Sequence, residues 1–272
     1  MAFRTITGYY ISDLHATCFL LECLFLVCGL TLLYLTGITD DLIGVRYRQK
    51  FVIQILCACF FSIAELWIND LYGLLGIYAI PNWIGIPFTI LTIVFITNAI
   101  NLIDGIDGLA SGLSSVALLV FGLLFIEKGL WMYSMLAFST LGVLVPFFYY
   151  NVFGNAERAR KIFMGDTGSL TLGYILSFLA IKYSQNNPEV ISNTKGTFLI
   201  AFSTLIIPAF DVIRVVMVRL RNGKSPFEPD KNHIHHKFLA MGFTPRKAMI
   251  IIILISCAFS AVNILLIPWV NN

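Results

Sequence analysis

Long runs of apolar residues, separated by short polar segments, set the pattern of this 272-residue chain. A helix needs about 20 mostly apolar residues to cross a bilayer, and eight runs approach or exceed that length. The predicted spans cover residues 14–38, 51–68, 85–100, 110–127, 130–150, 168–184, 196–218 and 247–269. The runs do not alternate with polar residues, which disfavours a β-barrel. The pattern predicts an all-α polytopic membrane protein with about eight transmembrane helices, in a single integral domain over residues 1–272.

Composition supports this fold class. Hydrophobic residues make up 58% of the chain and charged residues 12%, and the mean hydropathy is +0.85. These values exclude an ordinary soluble globular protein, whose charged fraction is about twice as high. All six cysteines fall within the apolar runs, where they are expected to act as small membrane-embedded hydrophobic side chains.

The distribution of charge predicts the orientation of the chain. The formal net charge is only +3, and no nucleic-acid partner is expected. Most Lys and Arg residues fall in three segments, residues 46–50, 158–161 and 219–247. Cytoplasmic loops of membrane proteins are enriched in Lys and Arg, so these three segments are predicted to face the cytoplasm and both termini to lie outside.

Four polar motifs stand at the ends of the predicted spans. They are the acidic pair Asp40-Asp41, the amide–carboxylate motif at residues 98–112, residues 163–169, and the histidine segment at residues 233–237. Successive motifs are separated by an even number of predicted crossings, so all four lie on one face, and this is also the basic face. The parity predicts one composite cytoplasmic site built from four loops.

The amide–carboxylate motif has the side chains of a site for a hard cation. Its polar residues recur at every third position and can line one groove of a helix: Asn98, Asn101, Asp104 and Asp107. Amide and carboxylate oxygens are the ligands that Mg²⁺ prefers. Glycines at positions 105, 108 and 112 permit a broken helix or close approach of backbone to a ligand, although glycines also serve helix packing.

Two further motifs supply carboxylates. Asp40 and Asp41 suit metal binding, or a general base beside a second charge, and the alternative is a solvated loop. Asp166 precedes a predicted span and is either a metal ligand or a helix-capping carboxylate. Thr167 or Ser169 could cap the same helix, whose first amides would then be available to a phosphate.

The last predicted loop combines histidines with basic residues. Three of the four histidines of the chain lie within residues 233–236, among Arg and Lys. This combination favours a phosphate-binding loop. Zinc binding and contact with lipid headgroups are the alternatives, but no cysteine lies nearby and the carboxylates favour a harder ion.

Together these charges indicate a reaction class. A strongly acidic site repels an anionic substrate unless a divalent cation lies between them, and the basic loop indicates that the substrate is anionic. Carboxylates, Mg²⁺ and cationic donors are the apparatus of phosphoryl transfer. The position at the membrane face suggests that one reactant is a lipid. An ion-coupled transporter and a non-catalytic membrane scaffold are the alternatives.

From Gly37 to Gly242 the motifs resemble, in order and spacing, the polyprenyl-phosphate N-acetylhexosamine-1-phosphate transferase superfamily, or glycosyltransferase family 4. The sequence His233-Ile234-His235-His236-Lys237 resembles the WecA/TagO-like branch. This resemblance implies transfer of GlcNAc-1-phosphate from UDP-GlcNAc to undecaprenyl phosphate, with undecaprenyl-diphospho-GlcNAc and UMP as products. The reaction is the first membrane step of a cell-envelope polysaccharide pathway, such as that of lipopolysaccharide O-antigen or teichoic acid. The alternative within the superfamily is phospho-MurNAc-pentapeptide transferase.

The resemblance also implies roles for individual residues. Asn101 and Asp166 match Mg²⁺ ligands, with Mn²⁺ as an alternative ion, and Asp40 and Asp41 match a pair that positions or deprotonates the lipid phosphate. The remaining matches are Asp104 and Asp107 near the nucleoside and metal, Phe163 stacked on uracil, and His233, His235 and His236 in a diphosphate-binding loop. Further candidates for substrate binding are Asn98, Lys50 and Arg219.

The resemblance has consequences for the whole chain. It implies a bacterial inner-membrane protein, with a homodimer as one possible assembly. Family members usually begin with one or two further spanning helices and a basic loop, which residues 1–14 do not match, so the resemblance implies a chain shortened at its N-terminus. Two acidic residues within apolar runs, Glu22 and Glu65, have no role in this interpretation.

Overall fold

The computed structural model describes residues 2–187, 196–225 and 233–270, and these residues are predominantly helical. The helices, in chain order, are α1 (Ala2–Ile43), α2 (Tyr47–Ile63), α3 (Asn82–Ile103), α4 (Leu109–Glu127), α5 (Trp131–Phe153), α6 (Gly165–Ser184), α7 (Thr197–Ser203), α8 (Ile206–Arg221), α9 (Ile234–Ala240) and α10 (Pro245–Val270). Two short strands, β1 (Asp70–Leu74) and β2 (Ile77–Ala79), lie between α2 and α3. The predicted all-α fold class is confirmed.

Within the described residues, five helices are long and apolar enough to cross a membrane: residues 19–43 of α1, together with α3, α4, α5 and residues 245–266 of α10. The chain is therefore a multi-pass membrane protein. The number rises to six if α7 and α8 form one broken span. Helices α2 and α6 occupy the second and sixth predicted spans but do not meet the same criteria of length and apolarity, so the predicted number of eight spans is not confirmed.

The seventh predicted span, residues 196–218, is not one straight helix. Helices α7 and α8 are bent by 76° relative to one another. Pro208 lies in the first turn of α8 and has no N–H to donate to the carbonyl of Thr204, so the hydrogen-bond ladder cannot run unbroken from α7 into α8. The hydropathy of the segment does not register this break.

A β-hairpin follows α2 and was not predicted. Strands β1 and β2 pair in antiparallel orientation around a two-residue turn, in which Leu75 and Gly76 both have positive φ. This is the turn geometry that suits the twist of paired strands. The Tyr72 hydroxyl donates to the carbonyl oxygen of Ser184 at 3.0 Å, which fastens the hairpin to the end of α6.

Helix α6 packs directly against the backbones of two other helices. A Cβ atom added at Gly37 of α1 would lie 2.3 Å from the Cα atom of Thr167, and one at Gly173 would lie 2.7 Å from the Cα atom of Thr97 in α3. Small residues allow this close approach in membrane proteins. The packing fixes the start of α6 between the ends of α1 and α3.

A buried charge cluster joins α1, α5 and α6 and accounts for Glu22. Lys182 Nζ lies 2.6 Å from Glu22 Oε1, and the Tyr133 hydroxyl donates to Glu22 Oε2 at 2.6 Å. Glu22 and Lys182 are both buried. An unpaired buried charge is strongly destabilising, so removal of either residue should destabilise the fold through the charge that is left on the other.

Candidate functional site

A cavity of about 360 Å³ is lined by the ends of α3 and α5, the start of α6, and the loops that follow α3 and precede α6. Its lining consists of Asn101, residues 104–107, Asn151 and residues 163–166. The cavity therefore brings together the amide–carboxylate motif and the segment before α6, which parity predicted to lie on one face.

The amide–carboxylate motif forms the break that its glycines permit. Helix α3 ends at Ile103, and α4 begins after Gly108, whose φ is +81°. The amide N–H of Gly108 donates to Asn151 Oδ1 at 2.6 Å, and Asn151 Nδ2 donates to the carbonyl of Ile162 at 2.8 Å. Asn151 thus ties the two loops of the cavity together. It was not predicted, although an amide side chain at the end of an apolar run was a usable signal.

The two predicted metal ligands lie side by side. Asn101 Nδ2 donates to Asp166 Oδ1 at 3.0 Å and to Ser169 Oγ at 2.8 Å. Asn101 stands in the last turn of α3 and Asp166 in the first turn of α6, so the packing of these two helices sets the distance between them.

Asp41 caps helix α6 from a different helix. Its Oδ1 atom accepts from the backbone N–H of Asp166 at 2.8 Å, and its Oδ2 atom accepts from the backbone N–H of Thr167 at 3.1 Å and from the Thr167 hydroxyl at 2.6 Å. A carboxylate at a helix N-terminus is favoured by the helix dipole. Gly165 has a φ of +61°, and a Cβ atom there would lie 2.7 Å from Asp41 Oδ2.

The predicted cap of α6 is wrong. No side chain within the helix caps it, and the Ser169 hydroxyl instead donates to the carbonyl oxygen of Gly165 at 2.8 Å. Two of the first amides, those of Asp166 and Thr167, were predicted to be available to a phosphate but donate to Asp41. The carboxylate of Asp41, at the end of α1, thus satisfies the N–H groups that a bound phosphate was expected to satisfy.

Lys50 bridges two of the predicted carboxylates. Its ammonium lies 2.5 Å from Asp40 Oδ2 and also contacts Asp166 Oδ2. Asp40 Oδ1 accepts in addition from the backbone N–H of Val45 at 2.5 Å. A predicted substrate-binding cation is therefore in direct contact with a predicted metal ligand.

The cavity carries more negative charge than its lysines balance. Lys161 Nζ lies 2.6 Å from Asp107 Oδ2 and 5.5 Å from the centroid of the Phe163 ring, which is 72% exposed. Burial, together with the charges of Asp107 and Asp166, raises the pKa of Asp104 to about 6. A cation placed in this cavity would relieve the repulsion.

The histidine segment reaches the wall of the cavity. A Cβ atom added at Gly105 would lie 2.3 Å from both Cε1 and Nε2 of His235, so the imidazole packs directly on the glycine backbone. The His235 ring also stacks on the His233 ring, with a centroid distance of 5.9 Å, and its centroid lies 4.2 Å from that of the His236 ring. Burial, followed by the neighbouring charges of His236 and His233, lowers the pKa of His235 to about 4. The preceding residues, 226–232, lie outside the described part of the chain.

Asp211 holds the histidine segment and was missed by the sequence analysis. Its carboxylate lies 2.8 Å from His233 Nδ1 and accepts from the backbone N–H of Ile234 at 2.8 Å. A single carboxylate inside a predicted span marks a functional position by default, and this signal could have found it.

Of the predicted substrate-binding residues, Phe163 lines the cavity, and Asn98 and Arg219 neither line it nor contact its carboxylates in the described part of the chain. Asn98 Nδ2 donates to Gln54 Oε1, and Gln54 Nε2 donates to Asn98 Oδ1 at 3.3 Å, so the two amides join α2 to α3. Arg219 is buried on α8. Substrate contact by either residue stays a prediction.

The oxygen-bearing side chains of the cavity fit a hard cation that is also coordinated by a bound substrate. Among the described residues, no group of three or more His, Cys, Asp or Glu side chains has the arrangement of a metal site. Magnesium at phosphate sites usually takes one or two carboxylates and completes its shell with water and phosphate oxygens. Asp166 supplies one carboxylate, and the side chain of Asn101 beside it carries an amide oxygen as a second ligand. With the negative charge of Asp104, these residues meet that smaller requirement.

Comparison with known proteins adds an independent line of evidence. The sequence model of glycosyl transferase family 4 matches residues 23–184. The chain is 30% identical over 244 residues to an undecaprenyl-phosphate alpha-N-acetylglucosaminyl 1-phosphate transferase of Yersinia pestis, covering 89% of this chain and 65% of the relative. It is 31% identical over 261 residues to a Salmonella typhi protein of the same name, covering 95% and 67%.

A relative from Bacillus subtilis gives a similar match. A probable undecaprenyl-phosphate N-acetylglucosaminyl 1-phosphate transferase of Bacillus subtilis is 33% identical over 247 residues, covering 88% of this chain and 64% of the relative. The chain thus spans about two thirds of the length of the curated relatives that it matches.

Proposed function

The chain belongs to glycosyl transferase family 4, and from this premise we propose that it transfers GlcNAc-1-phosphate from UDP-GlcNAc to undecaprenyl phosphate. The products would be undecaprenyl-diphospho-GlcNAc and UMP. The observation that carries the proposal is the contact of four separate motifs around one cavity, where Asp41 and Asn101 meet the Asp166 segment and His235 packs on Gly105. The names of the relatives supply the substrates.

The proposed cofactor is Mg²⁺, held by Asp166 and Asn101. When bound, the ion would neutralise the diphosphate of the donor and stabilise charge that develops on its oxygens. Asp104 and Asp107 line the same cavity and fit the surroundings of the metal and nucleoside. Lys161 lies above the exposed ring of Phe163, and we propose that Phe163 contacts the uracil of the donor and Lys161 its phosphates.

We assign a positioning role, rather than a proton-abstracting one, to the acidic pair. Asp41 accepts three hydrogen bonds from the start of α6, and Asp40 is paired with Lys50. Carboxylates stabilised in this way are weak bases. A phosphate monoester has a second pKa near 6, so the acceptor is already largely ionised at neutral pH and needs no base. Catalysis would then rest on orientation and charge neutralisation.

We propose that the cavity faces the cytoplasm of a bacterial cell. Lys50 and Lys161 belong to two of the three basic segments, and both contact carboxylates of the site. The positive-inside rule for those segments therefore applies to the cavity as well.

The assay that tests the proposal measures UMP release. Purified protein in detergent, supplied with Mg²⁺ and undecaprenyl phosphate, should release UMP from UDP-GlcNAc faster than from UDP-GalNAc or UDP-MurNAc-pentapeptide. Asp166→Ala should lower kcat by about 100-fold or more, because it removes a preorganised charge at the reacting groups. Asp70→Asn is the matched control, since Asp70 lies in the hairpin, does not line the cavity, and accepts hydrogen bonds from the backbone N–H of Tyr72 and from Asn186 Nδ2.

Two results would count against the proposal. The first is an absence of UMP release by the unmodified chain with all three donors. The second is turnover by Asp166→Ala equal to that of Asp70→Asn.

A further inference from the structure

Asp211 is a buried carboxylate that no step of the proposed function uses. Its side chain is 1% exposed and lies on α8, outside the lining of the cavity. Three donors converge on it at 2.8 Å: His233 Nδ1, the backbone N–H of Ile234 and Arg214 Nη2. The guanidinium of Arg214 is permanently charged and favours the ionised carboxylate. A buried, ionised and fully engaged carboxylate is a costly feature, which calls for a role.

The contact with His233 fixes the position of a proton. An ionised carboxylate can only accept hydrogen bonds, so the 2.8 Å contact requires the proton of the imidazole to be on Nδ1. The second ring nitrogen, Nε2, is then the one that remains for another partner. Carboxylates that hold a histidine in this way set both its tautomer and the direction of its ring.

The contact with Ile234 fixes the start of α9. Ile234 is the first residue of this helix, and the side chain of the preceding residue, His233, makes no capping hydrogen bond. Asp211 supplies the missing acceptor from α8. A seven-residue helix has little stability by itself, so its position depends on tertiary contacts of this kind.

His235 connects these two contacts of Asp211 to the cavity. His235 follows Ile234 in α9, stacks on the His233 ring with an interplanar angle of 5°, and packs on Gly105 at the cavity wall. We propose that Asp211 is a positioning residue that orients His233 and anchors α9, and thereby holds the histidine segment against the substrate site. This inference rests on the proposed function, because the histidine segment is taken to bind the diphosphate.

The first test observes the proton directly and needs no turnover. The protein is labelled with ¹⁵N-histidine, and His233→Gln identifies the His233 signals among those of the four histidines of the chain. The wild type should show His233 protonated at Nδ1 at neutral pH, and Asp211→Asn should lose that signature. A wild-type His233 with an unprotonated Nδ1 would overturn the inference whether or not any variant folds.

The second test separates positioning from stability. Asp211→Asn, Asp211→Glu and the matched control Asp70→Asn are compared for Tm and for kcat and KM with UDP-GlcNAc, per folded protein. Asp211→Asn should lower kcat/KM by about 10- to 100-fold, the range for residues that orient functional histidines. Asp211→Glu, which keeps the charge, should recover part of the loss, and Asp70→Asn should match the wild type.

The outcomes distinguish the two levels of the argument. Wild-type turnover with unchanged kinetic constants in Asp211→Asn would overturn the positioning role and leave the proposed function intact. A lower Tm with unchanged constants would assign Asp211 to stability alone and would overturn the inference equally. An inactive wild type would instead overturn the proposed function.

Discussion

At the scale of single residues, Asp166 is the point where the separate motifs meet. Its side chain contacts Asn101 and Lys50, and its backbone N–H donates to Asp41. The identity of these residues could be predicted, because polar groups in an apolar chain are conspicuous. Their pairing could not, since nothing in the local sequence specifies that Asp41 binds the backbone while Asp40 binds Lys50. The sequence thus indicates which residues belong to the site, but not which contacts they make.

The raised pKa of Asp104 leads to a prediction about pH. This carboxyl group has a pKa of about 6 in the folded chain and of 3.8 as its ordinary value. The folded state therefore binds the proton more tightly, and the stabilising contribution of the protonated group is lost as pH rises from about 4 to about 6. Asp104→Asn cannot ionise, so its Tm should exceed that of the wild type at pH 7.5.

The measurement is thermal unfolding in detergent across pH 4 to 8 in the presence of a chelator. The difference in Tm between Asp104→Asn and the wild type should be small near pH 4 and grow toward pH 6. A difference that stays constant across this range would show that the carboxyl group is not perturbed by its neighbours.

At the scale of elements, the apolar runs predicted most of the helices well, with the ends of α4, α5, α6 and α10 within about three residues, but missed the breaks within and between the runs. Runs of this length have few alternatives to a helix in a membrane, which explains the success. The kink before Pro208 and the hairpin at residues 70–79 were missed, because a hydropathy average does not respond to one missing N–H or to a two-residue turn. The cap of α6 was assigned to its own hydroxyls, but its real cap lies 125 positions away in sequence.

Gly165 offers a test of the cap between α1 and α6. Gly165→Ala places a side chain at a φ of +61° and a Cβ atom 2.7 Å from Asp41 Oδ2. The left-handed conformation alone costs about 1–2 kcal/mol for a residue with a Cβ. We therefore expect a lower Tm and, because Asp41 must move away from the start of α6, slower UMP release.

Gly142→Ala serves as the matched control. Gly142 lies within α5, and a Cβ atom added there meets nothing within 4 Å. Alanine is the better helix former, so this variant should be as stable as the wild type or slightly more stable. Equal Tm values for the two variants would contradict the close contact at Gly165.

At the scale of the whole molecule, the predicted meeting of the four motifs is observed, although the predicted number of crossings is not confirmed. Asp41 and Asn101 contact the start of α6, and His235 packs on Gly105, so the contacts themselves, rather than the count of spans, bring the motifs together. Glu22 shows the limit of prediction from the sequence. Its partner Lys182 is 160 positions away, and only the packing of α1 on α6 brings the two charges together.

The Glu22–Lys182 pair leads to a prediction about stability. Either single change, Glu22→Gln or Lys182→Met, leaves one buried charge without its partner and should cost about 3–5 kcal/mol of unfolding free energy. The double variant should lose less than the sum of the two. Neither residue lines the cavity, so UMP release per folded protein should persist.

The measurement is a double-mutant cycle from denaturant unfolding in mixed micelles. Strict additivity of the two single effects would show that the ion pair does not contribute to the packing of α1 against α6.

The ammonium of Lys50 occupies the position between two carboxylates of the site, where a bound cation would otherwise lie. Two acidic side chains from α1 and α6 share it, so their mutual repulsion is balanced without any ion from solution. Under the proposed function, a divalent ion bound at Asp166 would compete with the Lys50 ammonium for this carboxylate, and the displaced ammonium would then be available to a phosphate. The Lys50 ammonium therefore holds the end of α1 against the start of α6 without a bound ion.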